Sequence, residues 1–362
     1  MGFGAKLQGF IAVIIRKKVI LVKALMYTGV KKLEIVDLPN PEPKEGELLL
    51  KVKSCGICGS DVHGWLGLTG RRIAPMVMGH EFSAEVVGFG KGCSNKFSLG
   101  DLVTIQPCIS CGECDYCRKG SNNLCTGRKF LGAMDFNGAL QEYLCVPEKI
   151  AFALPSSMSH QVGSLIEAFA VSYSAVKKAG DLSGKNVVII GGGTIGLMAL
   201  AAVKVQNPNK ILLTDLSALR LKTAKKMGAD EVLNPINKNF LEEVKKAFNG
   251  KLADVSIEAV GVGATVAQSL EALAPQGCSI WIGNSSKMVE VDMQSIVTQE
   301  LKIYGSYIYS HEEFGESIKF IEEHKLDLEK FISNEITFSE AQGMFESLAT
   351  DTEKFLKCVV TF

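Results

Sequence analysis

The spacing of apolar positions changes character near residue 184. From Lys23 to about Val146 they come in short β-branched runs, at 48–52, 83–87 and 102–105, separated by clusters of Gly, Pro, Asn and Ser. That texture predicts a compact β-rich domain. After Leu182-Ser183-Gly184 the runs lengthen and alternate in kind. Residues 187–190 are an apolar run of the parallel-strand type, followed by glycines and a helical stretch to Val205. Residues 211–214 form the next strand, and 218–227 a helix closed by Gly228. Strand and helix signals continue through 255–257, 265–273, 279–282 and 302–304. Such alternation means βαβ units, hence a parallel sheet with helices on both faces. The tail from Phe314 is mixed in pattern and is expected to fold back onto the first domain. The chain is therefore expected to be an α/β protein of two domains, which its 362 residues also suit.

Composition narrows the partners. Formal net charge is zero and no long run of one sign occurs, which argues against nucleic acid or an anionic membrane. The apolar stretches are far shorter than a bilayer span. In the opening segment, an apolar run at 10–15 is followed directly by Arg16, Lys17 and Lys18, with no small-residue cleavage site after it. It does not read as a secretory signal. An organelle presequence is poor in acidic residues, and the first here is Glu34, but Arg and Ser are too few. Eleven cysteines is an odd number, and five of them (Cys108, Cys111, Cys114, Cys117 and Cys125) share one segment. Clustering of this kind reads as metal binding in a reducing compartment, so the expected location is the cytoplasm.

Gly191-Gly192-Gly193-Thr194-Ile195-Gly196 follows a strand and opens a helix. Gly191 permits the tight turn, Gly193 lets the backbone approach a pyrophosphate, and Gly196 lets helix pack on strand. The phosphates would sit on free N–H groups at the positive end of the helix. A glycine hexad alone also fits a flexible turn. Asp215 sharpens it, standing at the end of the next strand about 20 residues on, where a carboxylate accepts from the ribose hydroxyls of NAD and repels the 2′-phosphate of NADP. Arg220 is a candidate to stack on adenine, or a solvated helix residue.

Two metal sites are expected. Cys111, Cys114, Cys117 and Cys125 supply four thiolates within one loop, a closed shell suited to structural zinc. An iron–sulfur cluster is the rival, but the C-x₃-C-P ending of the bacterial ferredoxin run is missing. Cys108 is read as a bystander, since the other four complete the shell. Cys58-Gly59-Ser60-Asp61-Val62-His63 and Gly79-His80-Glu81 mix thiolate, imidazole and carboxylate. Such a mixed set keeps a position open for water or substrate, the pattern of a catalytic zinc.

These motifs, in order and spacing, resemble the zinc-containing medium-chain dehydrogenase/reductase family, from about Val22 to the end. The match is strongest with its sorbitol and polyol-phosphate dehydrogenase branch, carried by residues 215–221 and the Glu167 region. The resemblance implies a GroES-like domain bearing both zincs (22–174 and 307–362) and an NAD-binding Rossmann domain (175–306). It implies Cys58 and His80 as catalytic-zinc ligands, Glu81 as ligand or exchangeable neighbour, Glu167 as a further group of that site, and Asp61 as the residue orienting His80. The family has Pro after the Glu of the Glu167 loop, where this chain has Ala168. The family's opening aligns with Val22-Lys23-Ala24-Leu25, so residues 1–21 are expected to be an extension outside the functional fold, Val22 being a candidate start through a GUG codon.

A zinc ion that acidifies bound water does the same for a bound alcohol. Ser60 is placed to take the hydroxyl proton and His63 to pass it to solvent. The expected reaction is oxidation of a secondary alcohol, a polyol or vicinal diol, to a ketone with NAD. A sugar-alcohol phosphate comes second, because Arg71 and Arg72 could grip a phosphate. Threonine dehydrogenation and a catalytically silent nucleotide-binding relative stand further off. A homo-oligomer, dimer or tetramer, is expected, with an edge strand near Ile303 as a pairing surface.

Overall fold

The computed structural model describes residues 21–134, 136–351 and 354–362. The expected extension lies outside the described residues except for Leu21, which opens the first strand. That strand, β1 (Leu21–Gly29), forms a hairpin with β2 (Lys32–Pro39) and also pairs with the short β4 (Met76–Val77). The main β-rich sheet is built on β3 (Glu47–Ile57), in which Leu48, Leu50 and Val52 point inward while 49, 51 and 53 are half-exposed. This period of two is what a strand with one face on a core requires. Antiparallel to β3 run β5 (Glu81–Phe89) and β9 (Tyr143–Pro147), with β6 (Leu102–Ile105) and β10 (Ala151–Ala153) beyond β5. A separate pair, β7 (Cys108–Ile109) and β8 (Lys129–Phe130), flanks the thiolate loop. Helices α1 (Gly59–Trp65) and α2 (Asp115–Arg118) are short.

Helix α3 (His160–Lys178) leads out of this part. Its N-cap is Ser159, whose side chain accepts from Val162 N, the usual cure for the orphan donors of a first turn. The expected domain boundary at 174/175 falls within this helix. A six-stranded sheet follows, in the order β13 (Glu231–Leu233), β12 (Lys210–Thr214), β11 (Asn186–Ile190), β14 (Ala253–Glu258), β15 (Leu273–Trp281), β16 (Lys302–Gly305). Every pair in it is parallel. Renumbered from its own first strand the order is 3-2-1-4-5-6, that of a doubly wound dinucleotide-binding sheet. Helices α4 (Thr194–Lys204), α5 (Ala218–Lys226), α6 (Phe240–Ala247), α7 (Gly263–Glu271) and α8 (Met293–Thr298) lie between the strands. The run 265–273 holds most of α7 and, at Leu273, the first residue of β15.

β11 is buried along its whole length, as a parallel strand covered on both faces must be. Val187 and Ile189 pack with α3 and α4, whereas Val188 and Ile190 pack on the opposite face with Val244 and Leu270. After α9 (His311–Glu323), which packs on α3, the chain returns to the first sheet. β18 (Lys357–Thr361) pairs antiparallel with β3 and parallel with β17 (Ile332–Thr337). The tail thus folds back as its pattern predicts. No helix among the described residues is long and apolar enough to cross a membrane.

Candidate metal centres and dinucleotide crevice

The spacing of Cys58, Ser60 and Asp61 is that of a helix start. Cys58 is the N-cap of α1, with extended backbone, and its sulfur accepts from Ser60 N at 3.5 Å and Ser60 Oγ at 3.3 Å. Asp61 closes the box, its Oδ2 accepting from Cys58 N at 3.4 Å. His80 and Glu81 lie at the head of β5, just after Gly79. A Cβ on Gly79 would stand 2.8 Å from the sulfur of Cys55, and its φ is +95°, so glycine is required there. This tight turn brings one ligand atom each of Cys58, His80 and Glu81 within 4.8 Å of one another. A thiolate, an imidazole and a carboxylate so placed fit a zinc ion with an open position. Nδ1 of His80 is buried without a hydrogen bond.

Around this triad the structure adds partners. Asp61 Oδ1 lies 3.4 Å from His80 Nδ1, but its short contact is to Arg72 Nη2 at 2.7 Å. Burial would raise the Asp61 carboxyl; the cations of His80 and Arg72 outweigh it and hold the group well below the usual carboxylate range. Burial likewise opposes a charge on His80, yet Asp61 and the Cys58 thiolate raise its pKa well above the ordinary value. Arg72 corrects the sequence reading. Its side chain is only 4% exposed, is spent on Asp61, and reaches Ser60 Oγ at 3.3 Å, so Arg71 and Arg72 do not form a fork open to an anion. His63 is exposed on α1, near Ser60 in the same helix.

Glu167 stands inside α3, not in a loop. With Ala168 following, nothing interrupts the helical hydrogen bonds as a proline would. Its carboxylate accepts from Tyr309 Oη at 2.5 Å, and both groups are buried. Burial pushes Glu167 up to about 7, opposed by His80 and reinforced by the charge of Glu81. Glu81 has a charged partner gripping both its oxygens. Lys357 Nζ donates to its two oxygens at 2.8 and 2.6 Å, with both side chains nearly inaccessible. Burial would lower the Lys357 pKa, but Glu81 raises it. Lys357 and Tyr309 are partners that local spacing does not reveal. The one visible sign is a lysine inside the apolar run 355–360.

We predict that Lys357→Met destabilises the protein by about 3–5 kcal/mol, because Glu81 would be left as a buried, unpaired charge. Urea unfolding measures this, and a loss below about 1 kcal/mol would place the pair in solvent instead.

The four thiols of Cys111, Cys114, Cys117 and Cys125 also converge within 4.8 Å. Backbone N–H groups of Cys111 and Cys114 point at the sulfurs of Cys125 and Cys111, at 3.4 Å each. Backbone donors favour thiolates: the N–H groups of Glu113 and Cys114 lower the Cys111 thiol, and that of Cys117 lowers the Cys114 thiol. Cys108 stands outside this group in β7, paired with Phe130, and burial pushes its thiol up to about 11. Phe130 in turn packs edge-on against the His80 ring, centroids 5.6 Å apart.

The glycine turn lies at the carboxyl end of β11, beside β14, where the strand order reverses. Gly191 has φ +101°, and a Cβ on Gly196 would stand 1.8 Å from the Gly191 carbonyl. The first position thus needs left-handed backbone and the last needs a bare Cα. A Cβ on Gly193, the N-cap of α4, would meet nothing within 4 Å, so the space above that turn is open. Ile195 follows in the first turn. Asp215, just past β12, accepts from Gly192 N at 2.6 Å and Ser217 N at 2.8 Å, and Arg220 Nη1 stands 3.8 Å from it. The two backbone N–H groups take two of roughly four acceptor sites on the carboxylate.

Comparison with known proteins agrees with this arrangement. Residues 44–156 match the alcohol dehydrogenase GroES-like domain, and residues 194–323 match the zinc-binding dehydrogenase family. Sorbitol dehydrogenase of Bacillus subtilis is 31% identical over 342 residues, covering 93% of this chain and 96% of that protein. The crystal structure of 2R,3R-butanediol dehydrogenase from Bacillus subtilis is similar with a TM-score of 0.86 at 28% identity, covering 94% of this chain and 99% of that one. That of galactitol-1-phosphate dehydrogenase from Escherichia coli has a TM-score of 0.88 at 27% identity, covering 94% and 100%. Matched in both parts, and along nearly its whole length by a sorbitol dehydrogenase, the chain belongs to the zinc-containing medium-chain dehydrogenase/reductase family, in its sorbitol and polyol dehydrogenase-like branch.

Proposed function

We propose that this protein oxidises a secondary alcohol, a polyol or vicinal diol, to the ketone with NAD as hydride acceptor. The observation that carries the reading is the convergence of Cys58, His80 and Glu81 on one point. Cys58 and His80 would hold a zinc ion, with Glu81 and Glu167 as the carboxylates beside it. The thiolates of Cys111, Cys114, Cys117 and Cys125 would hold a second, structural zinc. Bound at the first site, zinc supplies the Lewis acidity that lowers the pKa of an alcohol hydroxyl. Ser60, whose Oγ lies 3.3 Å from the Cys58 sulfur, would receive that proton. Its Oγ donates to the Cys58 sulfur and accepts from Arg72, which leaves one lone pair of the hydroxyl for the alcohol proton. His63, exposed on the same helix, would release the proton to solvent. Gly191, Gly193, Ile195 and Gly196 would hold the pyrophosphate, and Asp215 the adenosine ribose, with Arg220 beside it.

The test is nicotinamide reduction over a panel of polyols, vicinal diols, polyol phosphates and amino acids, threonine among them. Turnover of free polyols or diols is expected. Activity confined to phosphorylated substrates would move the protein to the type of the galactitol-1-phosphate enzyme. Less supports that second reading, since Arg72 is engaged by Asp61 and is not free to join Arg71 around a phosphate.

A dimer is the proposed assembly. β16 is an edge strand, and Met288, Met293, Val297 and Tyr304 near it are exposed large apolar residues, a combination that self-association covers. Light scattering that gives a monomer mass would overturn this. All eleven cysteines are free thiols, which suits the cytoplasm proposed for it.

A further inference from the structure

Glu81 of the metal triad and Glu167, the further carboxylate of the site, are both tied by short paths to the first turn of α4. The first path starts at Glu81, gripped by Lys357 Nζ. The residue before Lys357 is Leu356, whose carbonyl accepts from Thr194 Oγ1 at 2.6 Å, and Thr194 is the first residue of α4. Ser333 clamps the same peptide from the other side: its Oγ accepts from Leu356 N and donates to the Lys357 carbonyl, at 3.1 Å each. Leu356 and Lys357 therefore move as one unit. The second path starts at Glu167 and runs along α3 for little more than a turn to Ser172, whose Oγ donates to the Ile195 carbonyl at 2.9 Å.

The hydroxyl of Thr194 has no role inside its own helix. The N-cap is Gly193, which offers no side chain, and a threonine in the first helical position does not cap the turn it starts. It is turned outward, to a strand that carries the partner of a metal-site carboxylate.

We propose that Thr194 is a positioning residue that couples dinucleotide binding to metal affinity at Cys58, His80 and Glu81. This rests on the dinucleotide assignment made above. A dinucleotide seated on the first turn of α4 immobilises it. Through Thr194 the Leu356–Lys357 unit is immobilised with it, and through Ser172 so is the stretch of α3 that bears Glu167. A metal arriving second then has less to order, which makes the coupling positive.

The experiment measures zinc affinity at the labile site, identified by its loss in Cys58→Ala, by chelator competition on the full chain with and without NADH. In the unmutated protein NADH should tighten zinc binding about five- to tenfold, and zinc should tighten NADH binding by the same factor, since coupling is reciprocal. Thr194→Val should reduce the coupling below about twofold, while Thr194→Ser, which keeps the hydroxyl, preserves it; Thr194→Ala replaces the valine variant if that one does not fold. Full coupling in the hydroxyl-free variant overturns the proposal, as does zero or negative coupling in the unmutated protein. Failure of NADH to bind at all would instead remove the dinucleotide assignment itself.

Discussion

Cys58→Ala should abolish turnover while the protein stays folded and keeps one zinc. The residue caps a short helix and provides one of three converging ligand atoms, so its loss removes metal from the reacting centre and little else. Activity should fall by more than the 10–100-fold typical of losing an outer partner of a metal ligand. Cys114→Ala should act in the opposite way. The loop that holds the four thiols contains only the one-turn helix α2 and a brief 3₁₀ segment, so a metal bound there would be its main brace. Structural zinc is worth roughly 10–16 kcal/mol in small zinc domains, and a share of that should appear as lost stability in thermal unfolding. Cys108→Ala should leave both zincs in place by elemental analysis, because its thiol is outside the group of four. Equal loss of fold in the Cys58 and Cys114 variants would sink the division of roles, and a zinc lost from the Cys108 variant would change the ligand set.

What could be read in advance follows sequence distance. The Cys58-to-His63 segment, the Gly79-His80-Glu81 turn, the thiolate loop and the glycine turn are local, and each puts its groups together through a few residues of backbone. The parallel sheet was legible for the same reason, since alternation dictates βαβ units. The partners of the site carboxylates are of another kind. Lys357 is 276 residues from Glu81 and Tyr309 is 142 from Glu167, so no spacing rule connects them. Arg72 was misread as half of a phosphate grip because two adjacent arginines offer a bidentate fork; only the burial of Asp61 shows why one is drawn inside. The segment around Glu167 was taken for a loop by analogy with a proline-containing pattern, although Ala168 and its apolar neighbours favour the helix that forms.

Asp215 should make the protein prefer NAD to NADP by tenfold to more than a hundredfold in kcat/KM. A 2′-phosphate would meet a carboxylate and forfeit the ribose hydrogen bonds, each charged bond being worth roughly 1.5–3 kcal/mol. The structure sharpens the mutational test. Asp215 also holds Gly192 N at 2.6 Å and Ser217 N at 2.8 Å, so Asp215→Ala removes a charge and loosens the glycine turn together. That variant should weaken binding of both dinucleotides and narrow the gap between them. Asp215→Asn separates the two effects, since an amide oxygen still accepts from one backbone N–H while the negative charge is gone. Arg220, 3.8 Å away, would then face the 2′-phosphate without a competing carboxylate. NADP should therefore gain in the asparagine variant, even as NAD loses. Zinc content should be unchanged in both, because Asp215 belongs to neither metal cluster. Comparable kcat/KM for the two cofactors in the unmutated protein would show that Asp215 does not face the ribose, and the residue would be left as a brace for the glycine turn alone.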